Sequence, residues 1–155
     1  MKLRIISVCH KMPAWVESAC AEYTKRMPRE LSIEIVEIKP EKRAAGNSTQ
    51  NIQALEAKRI LEAIDKDYII ACDEHGQAIT TLQLAEKMQT WQNLGRDLSI
   101  VIGGADGLHT GLKQRADIVL SLSTLTLPHA FVRVLLCEQL YRAHSVNLGH
   151  PYHRE

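Results

Sequence analysis

No stretch of this 155-residue chain is apolar for long enough to cross a membrane; its uncharged runs fall far short of the ~20 residues that a bilayer requires. The opening MKLRIISVCHK starts basic but has only a short apolar run and no small-residue cleavage site, so it predicts a first strand rather than a secretion signal. Cysteines are few and scattered. Positions 9, 20, 72 and 137 include no CxxC pair, which predicts buried, reduced thiols and a cytoplasmic setting. Internal repeats, low-complexity tracts and linkers longer than a loop are lacking too. So are three catalytic signatures. No GKS or GKT follows the glycine run, which argues against a P-loop, and no GxGxxG follows the first strand, which argues against an ordinary dinucleotide fold. No serine sits in GxSxG and no cysteine lies beside a plausible histidine and acid, which argues against a nucleophilic hydrolase. A metal site is not expected either. His150 and His153 flank Pro151-Tyr152, but the proline keeps both off one helical face, and no carboxylate or cysteine stands at useful spacing.

What is present is an ordinary globular balance, 45% hydrophobic and 24% charged, in a length that predicts one domain over residues 1–155. The formal charge of +1 says little as a total, but the charges are unevenly placed. From His129 to Glu155 the only acids are Glu138 and Glu155, against Arg133, Arg142, Arg154 and four of the seven histidines. Lys39, Lys42 and Arg43 form a second basic cluster. Together the two patches favour an anionic partner.

Apolar spacing alternates between the strand and helix periods along the chain. Strands are predicted at 3–8, 31–38, 68–72, 98–102 and 118–122. A helix opens near Pro13 with Trp15, Val16, Ala19 and Tyr23 on one face, and Pro28 ends it. Residues 39–50 (KPEKRAAGNSTQ) read as a mobile loop, and Ile52, Leu55, Ala57, Ile60, Leu61 and Ile64 mark the next helix. DEHGQ at 73–77 reads as a turn. Thr80 with Gln83 fits a capping box, and Gly95 suits the end of the helix it opens. The final helix is predicted from about 130 to 145, with Phe131, Val134, Leu135, Leu140 and Tyr141 on its apolar side. The alternation predicts an α/β fold with a parallel sheet covered on both faces, in which ligands bind beyond the carboxyl ends of the strands. If strands three, four and five are neighbours, loops 73–77, 103–107 and 123–129 share one rim.

Two of those loops carry candidate chemistry. GGADG, with Gly103, Gly104 and Gly107, would let a ligand approach backbone amides closely; it would equally serve as a tight strand-to-helix turn. SLSTLTLPH at 121–129 alternates small polar and apolar residues, a pattern that can wrap an adenine or a thioether; it would also do for a loop capped by Thr126 or His129. Glu138 and Arg142 are spaced as an i,i+4 pair, either a solvated helix pair or an electrostatic element beside a site.

Taken together, GGADG after a strand, SLSTLTLPH, RVLLCEQLYRA and the terminal HPYHRE resemble the ribosomal large-subunit RNA methyltransferase H family, a minimal branch of the SPOUT methyltransferases. The resemblance spans essentially the whole chain, including the early KMPAW. It implies a parallel-sheet α/β-knot fold whose C-terminal part threads a deep trefoil knot, and a homodimer. It implies S-adenosylmethionine as methyl donor, no metal, and N3 of a pseudouridine in helix 69 of 23S rRNA as acceptor, on the assembled ribosome and away from any membrane. By position, its cofactor contacts fall on Cys72, Gly103, Leu122, Ser123, Thr124, Leu125, Thr126 and Leu127. Methyl transfer to a weakly acidic ring nitrogen needs positioning and a base or cation near the developing anion. The candidates are Arg142, Tyr152, His153 and Arg154, with Glu138 orienting them and Tyr152 stacking on the target base. The tail is expected to complete the partner's site in a dimer, with Trp15 and the last helix supplying the two-fold surface; a frayed terminus is the plain alternative. Two rival readings are a SPOUT enzyme acting on another RNA, and a non-catalytic RNA- or nucleotide-binding module.

Overall fold

The computed structural model describes residues 1–154. Five strands, β1 (Leu3–Val8), β2 (Ile33–Ile38), β3 (Tyr68–Ala78), β4 (Leu98–Ile102) and β5 (Ile118–Ser121), form one sheet in the order β2-β1-β4-β3-β5, and every pairing is parallel. Five helices connect or follow them: α1 (Ala14–Thr24), α2 (Thr49–Ala63), α3 (Thr81–Gln92), α4 (Thr110–Arg115) and α5 (His129–Leu148). Strand residues alternate between two apolar layers. Leu3, Ile5, Ile70, Leu98 and Ile100 pack with Val16, Leu84, Met88, Trp91, Leu136 and Leu140 of α1, α3 and α5. Ile6, Val8, Ile69, Ala71 and Val101 pack with Ala57, Ile60 and Leu112 of α2 and α4. A sheet buried on both faces explains why β4, LSIVI, is apolar almost throughout and buried at all five positions.

Several local expectations hold. Thr80 and Gln83 make both bonds of a capping box, and β2 is a half-exposed edge strand, though it starts at Ile33, two residues later than expected, behind a 3-10 turn at Arg29–Leu31; Ser48, not singled out in the sequence, caps α2 through the Asn51 amide.

Others need correction. The segment 73–77 is not a turn that ends the strand. Cys72 and Gln77 both register with Leu120, so residues 73–76 bulge outward and the chain rejoins β5 through Gln77 and Ala78. Gly76 permits this close approach: a Cβ there would stand 2.7 Å from the Leu120 carbonyl carbon. Helix α1 buries Val16 and Cys20, leaving Trp15 49% exposed, and it ends at Thr24, ahead of Pro28. The buried face of α5 is Leu136, Cys137, Leu140 and Ala143, whereas Phe131 is 56% exposed and Val134 and Leu135 are half-buried. Arg133 misleads the periodicity, because this charged side chain lies on the inner face with 2% exposure.

Candidate active site

Because β4 sits between β1 and β3, and β3 pairs with β5, the three predicted loops meet at one edge of the sheet. They enclose a cleft of about 640 Å³, within the size range of small-molecule sites. Cys72 and Gly103 line it, and so do Leu122 and Ser123. Leu125, Thr126 and Leu127 complete its β5 side. Thr124, expected with them, is exposed and is not part of the lining.

The floor is rigid. Gly107 donates its amide to Gly104 O at 3.0 Å and adopts φ +77°, a left-handed conformation that favours glycine. A Cβ on Gly103 would stand 2.7 Å from the carbonyl carbon of Gly107, so only glycine fits the cradle without a shift. Ser123 folds its own loop, with Oγ accepting from the Leu125 amide at 2.9 Å and its carbonyl accepting from Ser121 Oγ at 3.0 Å.

His129 was foreseen only as a possible cap. The N-cap of α5 is Pro128, which has no side-chain bond to give, and His129 is the first helical residue. Its Nδ1 lies 3.0 Å from Gly103 O, tying the glycine turn to α5, while among the described residues nothing bonds its buried Nε2. Burial, aided by the nearby Arg133 charge, outweighs the Gly103 bond and lowers its pKa, so the ring is neutral at pH 7. The signal that could have found it is the LPH sequence placed where a βα loop enters a helix. Desolvation, with some help from Asp73, pushes the Cys72 thiol up to about 12, which leaves it un-ionised and non-nucleophilic. Asp73 goes the other way. Burial would raise it, but the His75 amide and Lys113, at 3.3 Å, outweigh that and hold it below the usual aspartate value.

The five residues expected to handle the acceptor lie elsewhere, and none of them lines the cleft. Glu138 is nine residues along α5 from His129, about 14 Å at helical rise. There Arg142 Nε donates to Glu138 Oε1 at 2.7 Å, and Tyr152 Oη donates to the same oxygen at 3.1 Å. The Arg142 guanidinium stands over the Tyr152 ring at 4.8 Å, and Tyr141 meets that ring edge-on at 4.8 Å. Burial, hydrogen bonding with Tyr23 and the Glu138 charge all raise the Tyr152 phenol above its ordinary pKa. Among the described residues nothing bonds the buried Nδ1 of His153, and Arg154 is exposed. The tail, a 3-10 turn at Pro151–Arg154, is thus held against α5 rather than frayed. Within one chain the cleft adjoins the start of α5, while the tail cluster packs on it from mid-helix onward. Among the described residues no group of three or more histidines, cysteines and acids is gathered to hold a metal ion, and no helix is long and apolar enough to cross a membrane.

Comparison with known proteins gives this architecture a setting. The pattern of a family described as "Predicted SPOUT methyltransferase" matches residues 1–153. A protein of Methylobacillus flagellatus named ribosomal RNA large subunit methyltransferase H is 67% identical over 155 residues, covering 100% of both chains. Its namesake from Burkholderia ambifaria is 56% identical over 99% of both. Among solved structures, a "probable methylase family protein" from Haemophilus influenzae Rd KW20 superposes with a TM-score of 0.57 at 15% identity, over 97% of this chain and 69% of that one. TrmJ from Z. mobilis ZM4 gives 0.55 at 13% identity, over 92% and 70%. At such identities the likeness is one of fold.

Proposed function

This chain belongs to the SPOUT methyltransferase family, and from that premise we propose that it transfers a methyl group from S-adenosylmethionine to N3 of a pseudouridine in helix 69 of 23S rRNA, on the assembled ribosome in the cytoplasm. The observation that carries the reading is the full-length 67% identity to a protein named for methylating large-subunit ribosomal RNA. The cleft fits the donor. Its volume suits a nucleoside-sized ligand, its Gly103 cradle leaves room only for backbone, and its β5 side offers leucines beside small hydroxyls.

Cys72, Gly103, Leu122, Ser123, Leu125, Thr126 and Leu127 would hold S-adenosylmethionine, with Thr124 shaping the loop from outside. When bound, this group supplies an electrophilic methyl on a positively charged sulfur. The chain's part is to orient and to avoid interference. A neutral Cys72 offers no thiolate to be methylated in place of RNA, and a neutral His129 places no cation against the sulfonium. Acceptor chemistry falls to the tail. Arg142 and Arg154 supply positive charge for the developing anion of the ring imide, Glu138 orients Arg142 and Tyr152, and His153 is the proton-accepting candidate. The Tyr152 ring already contacts Arg142 and Tyr141, so stacking on a base means exchanging one of these neighbours.

The separation of cleft and tail supports a homodimer in which each tail reaches the other copy's cleft. The exposed Trp15 and Phe131 rings, 5.5 Å apart, suit its two-fold surface. Tritium transfer from labelled S-adenosylmethionine tests the function. Ribosomes lacking this modification are expected to accept about one methyl each, while modified ribosomes and transfer RNA accept none. Label appearing chiefly in transfer RNA would favour another SPOUT activity, and no heat on titration with S-adenosylmethionine would favour a non-catalytic RNA binder.

A further inference from the structure

The edge of the sheet that holds the cleft has a second half. Strand β1 pairs with both β2 and β4, so the loops leaving β1 and β2 run along the same carboxyl edge, beside the 103–107 turn. The two loops start together, since the Cys9 amide donates to Ile38 O at 3.1 Å. The loop after β2, residues 39–48, is anchored at both sides. Arg59 Nη1 donates to Lys39 O at 2.8 Å and also pairs with Glu41, whose amide donates to Glu56 Oε2 at 3.1 Å. Arg43 pairs with Asp106 of the glycine turn at 2.7 Å.

These contacts consume the loop's one acid and its one arginine. Lys39 and Lys42 stay exposed, and no ion-pair partner faces either among the described residues. Next to them, on the loop after β1, His10 and Lys11 are exposed in the same condition. Of the acids lining the cleft, Asp73 is engaged by Lys113 and Asp106 by Arg43, while Glu74 stands on the β3 side, away from the loops after β1 and β2. What this half of the edge offers is uncompensated lysine heads, Lys39 and Lys42 on an anchored loop and Lys11 on the loop that starts beside it, near the floor of the donor cleft.

We propose that the loops following β1 and β2 form a docking track for the phosphate backbone of the RNA acceptor, with Lys11, Lys39 and Lys42 as its cations and the Arg43–Asp106 pair fixing it to the cleft. The proposal rests on the RNA-methyltransferase reading above and adds where the RNA's flank is held. Lysine ammonium groups on flexible stems suit sequence-independent phosphate contacts, which set register while the tail reads the target base. A bilayer is disfavoured as the occupant, because residues 44–48 (AAGNS) offer no large apolar side chain to insert.

The test compares the wild type, a K11A/K39A/K42A variant and a K11R/K39R/K42R variant for binding to unmodified ribosomes at fixed magnesium, as KCl rises from about 50 to 200 mM. The alanine variant is expected to bind at least about tenfold more weakly at the low-salt end, and its slope of log affinity against log salt should shrink by about 2, roughly 0.7–0.9 per lost contact. Its KM for ribosomes should rise while its affinity for S-adenosylmethionine stays put, and the arginine variant should keep the wild-type slope. An unchanged slope and KM would overturn the track, as would a loss confined to binding of phosphatidylserine vesicles. A wild type that binds ribosomes with the full salt slope yet methylates nothing would instead overturn the enzymatic reading, since slope and transfer are read separately.

Discussion

His129 joins two pieces of the cleft through one ring. Its Nδ1 holds Gly103 O while among the described residues nothing bonds its buried Nε2, and burial depresses its pKa. The depressed value has a pH consequence of definite sign. The unfolded imidazole titrates near ~6.5 and the folded one lower, so between the two values the unfolded chain holds more protons. The stability contribution is therefore complete above about pH 6.5 and is lost as pH falls through the folded pKa. His144, also depressed by burial, adds to the same limb. His129→Asn keeps an N–H where Nδ1 stood and removes the titration. Urea midpoints measured from about pH 5 to 7.5 should fall less steeply for this variant than for the wild type. Parallel curves would show that His129 does not take up the proton.

The residues of the cleft were easier to foresee than their roles. Glycines after an apolar strand and small polar residues after the next one mark a βα rim on sequence alone; the eight donor positions come from the family resemblance, and seven of them face one cleft. Thr124 does not, because Ser123 turns the loop through the Leu125 amide and leaves its neighbour outside. His129 went unassigned because one histidine before a helix looks the same whether it caps the helix or bonds across to another loop.

At the scale of elements, local signals were legible and long-range ones were not. The capping box of α3 and the apolar run of β4 depend on residues near in sequence, and both are as expected. The bulge at 73–76 depends on a partner strand more than forty residues away, so in the sequence its turn-forming residues look like the end of a strand that in fact continues. Side-chain placement on α1 and α5 is long-range for a related reason: Trp15 and Phe131 pair on the surface, and Arg133 goes inside because Glu37 Oε1 at 2.7 Å and Cys9 Sγ at 2.9 Å receive its guanidinium. The bulge also makes a prediction. Gly76→Ala should force β3 and β5 apart, lowering stability by about 1–3 kcal/mol in urea titration and weakening S-adenosylmethionine binding, since Cys72 and Leu122 flank the shifted pair. A variant with wild-type stability and affinity would mean that the β3–β5 approach has slack.

For the whole molecule, the order of strands decides where the chemistry can be. All carboxyl ends face one way, so the cleft and the basic loops of β1 and β2 share an edge, while α5 carries the Glu138–Arg142–Tyr152 cluster away from it. On the proposed reading these are two half-sites, donor and acceptor, and two copies join them. Mixing two defective chains tests this most directly. One carries Gly103→Val, which blocks the cleft, and the other lacks residues 152–155, which removes the tail. Each alone should transfer essentially no methyl to unmodified ribosomes, though the tail deletion still binds S-adenosylmethionine. Unfolded and refolded together, they should recover about a quarter of wild-type transfer, the statistical share of one complete site in each mixed dimer. No recovery, from mixed dimers verified to form, would contradict the account.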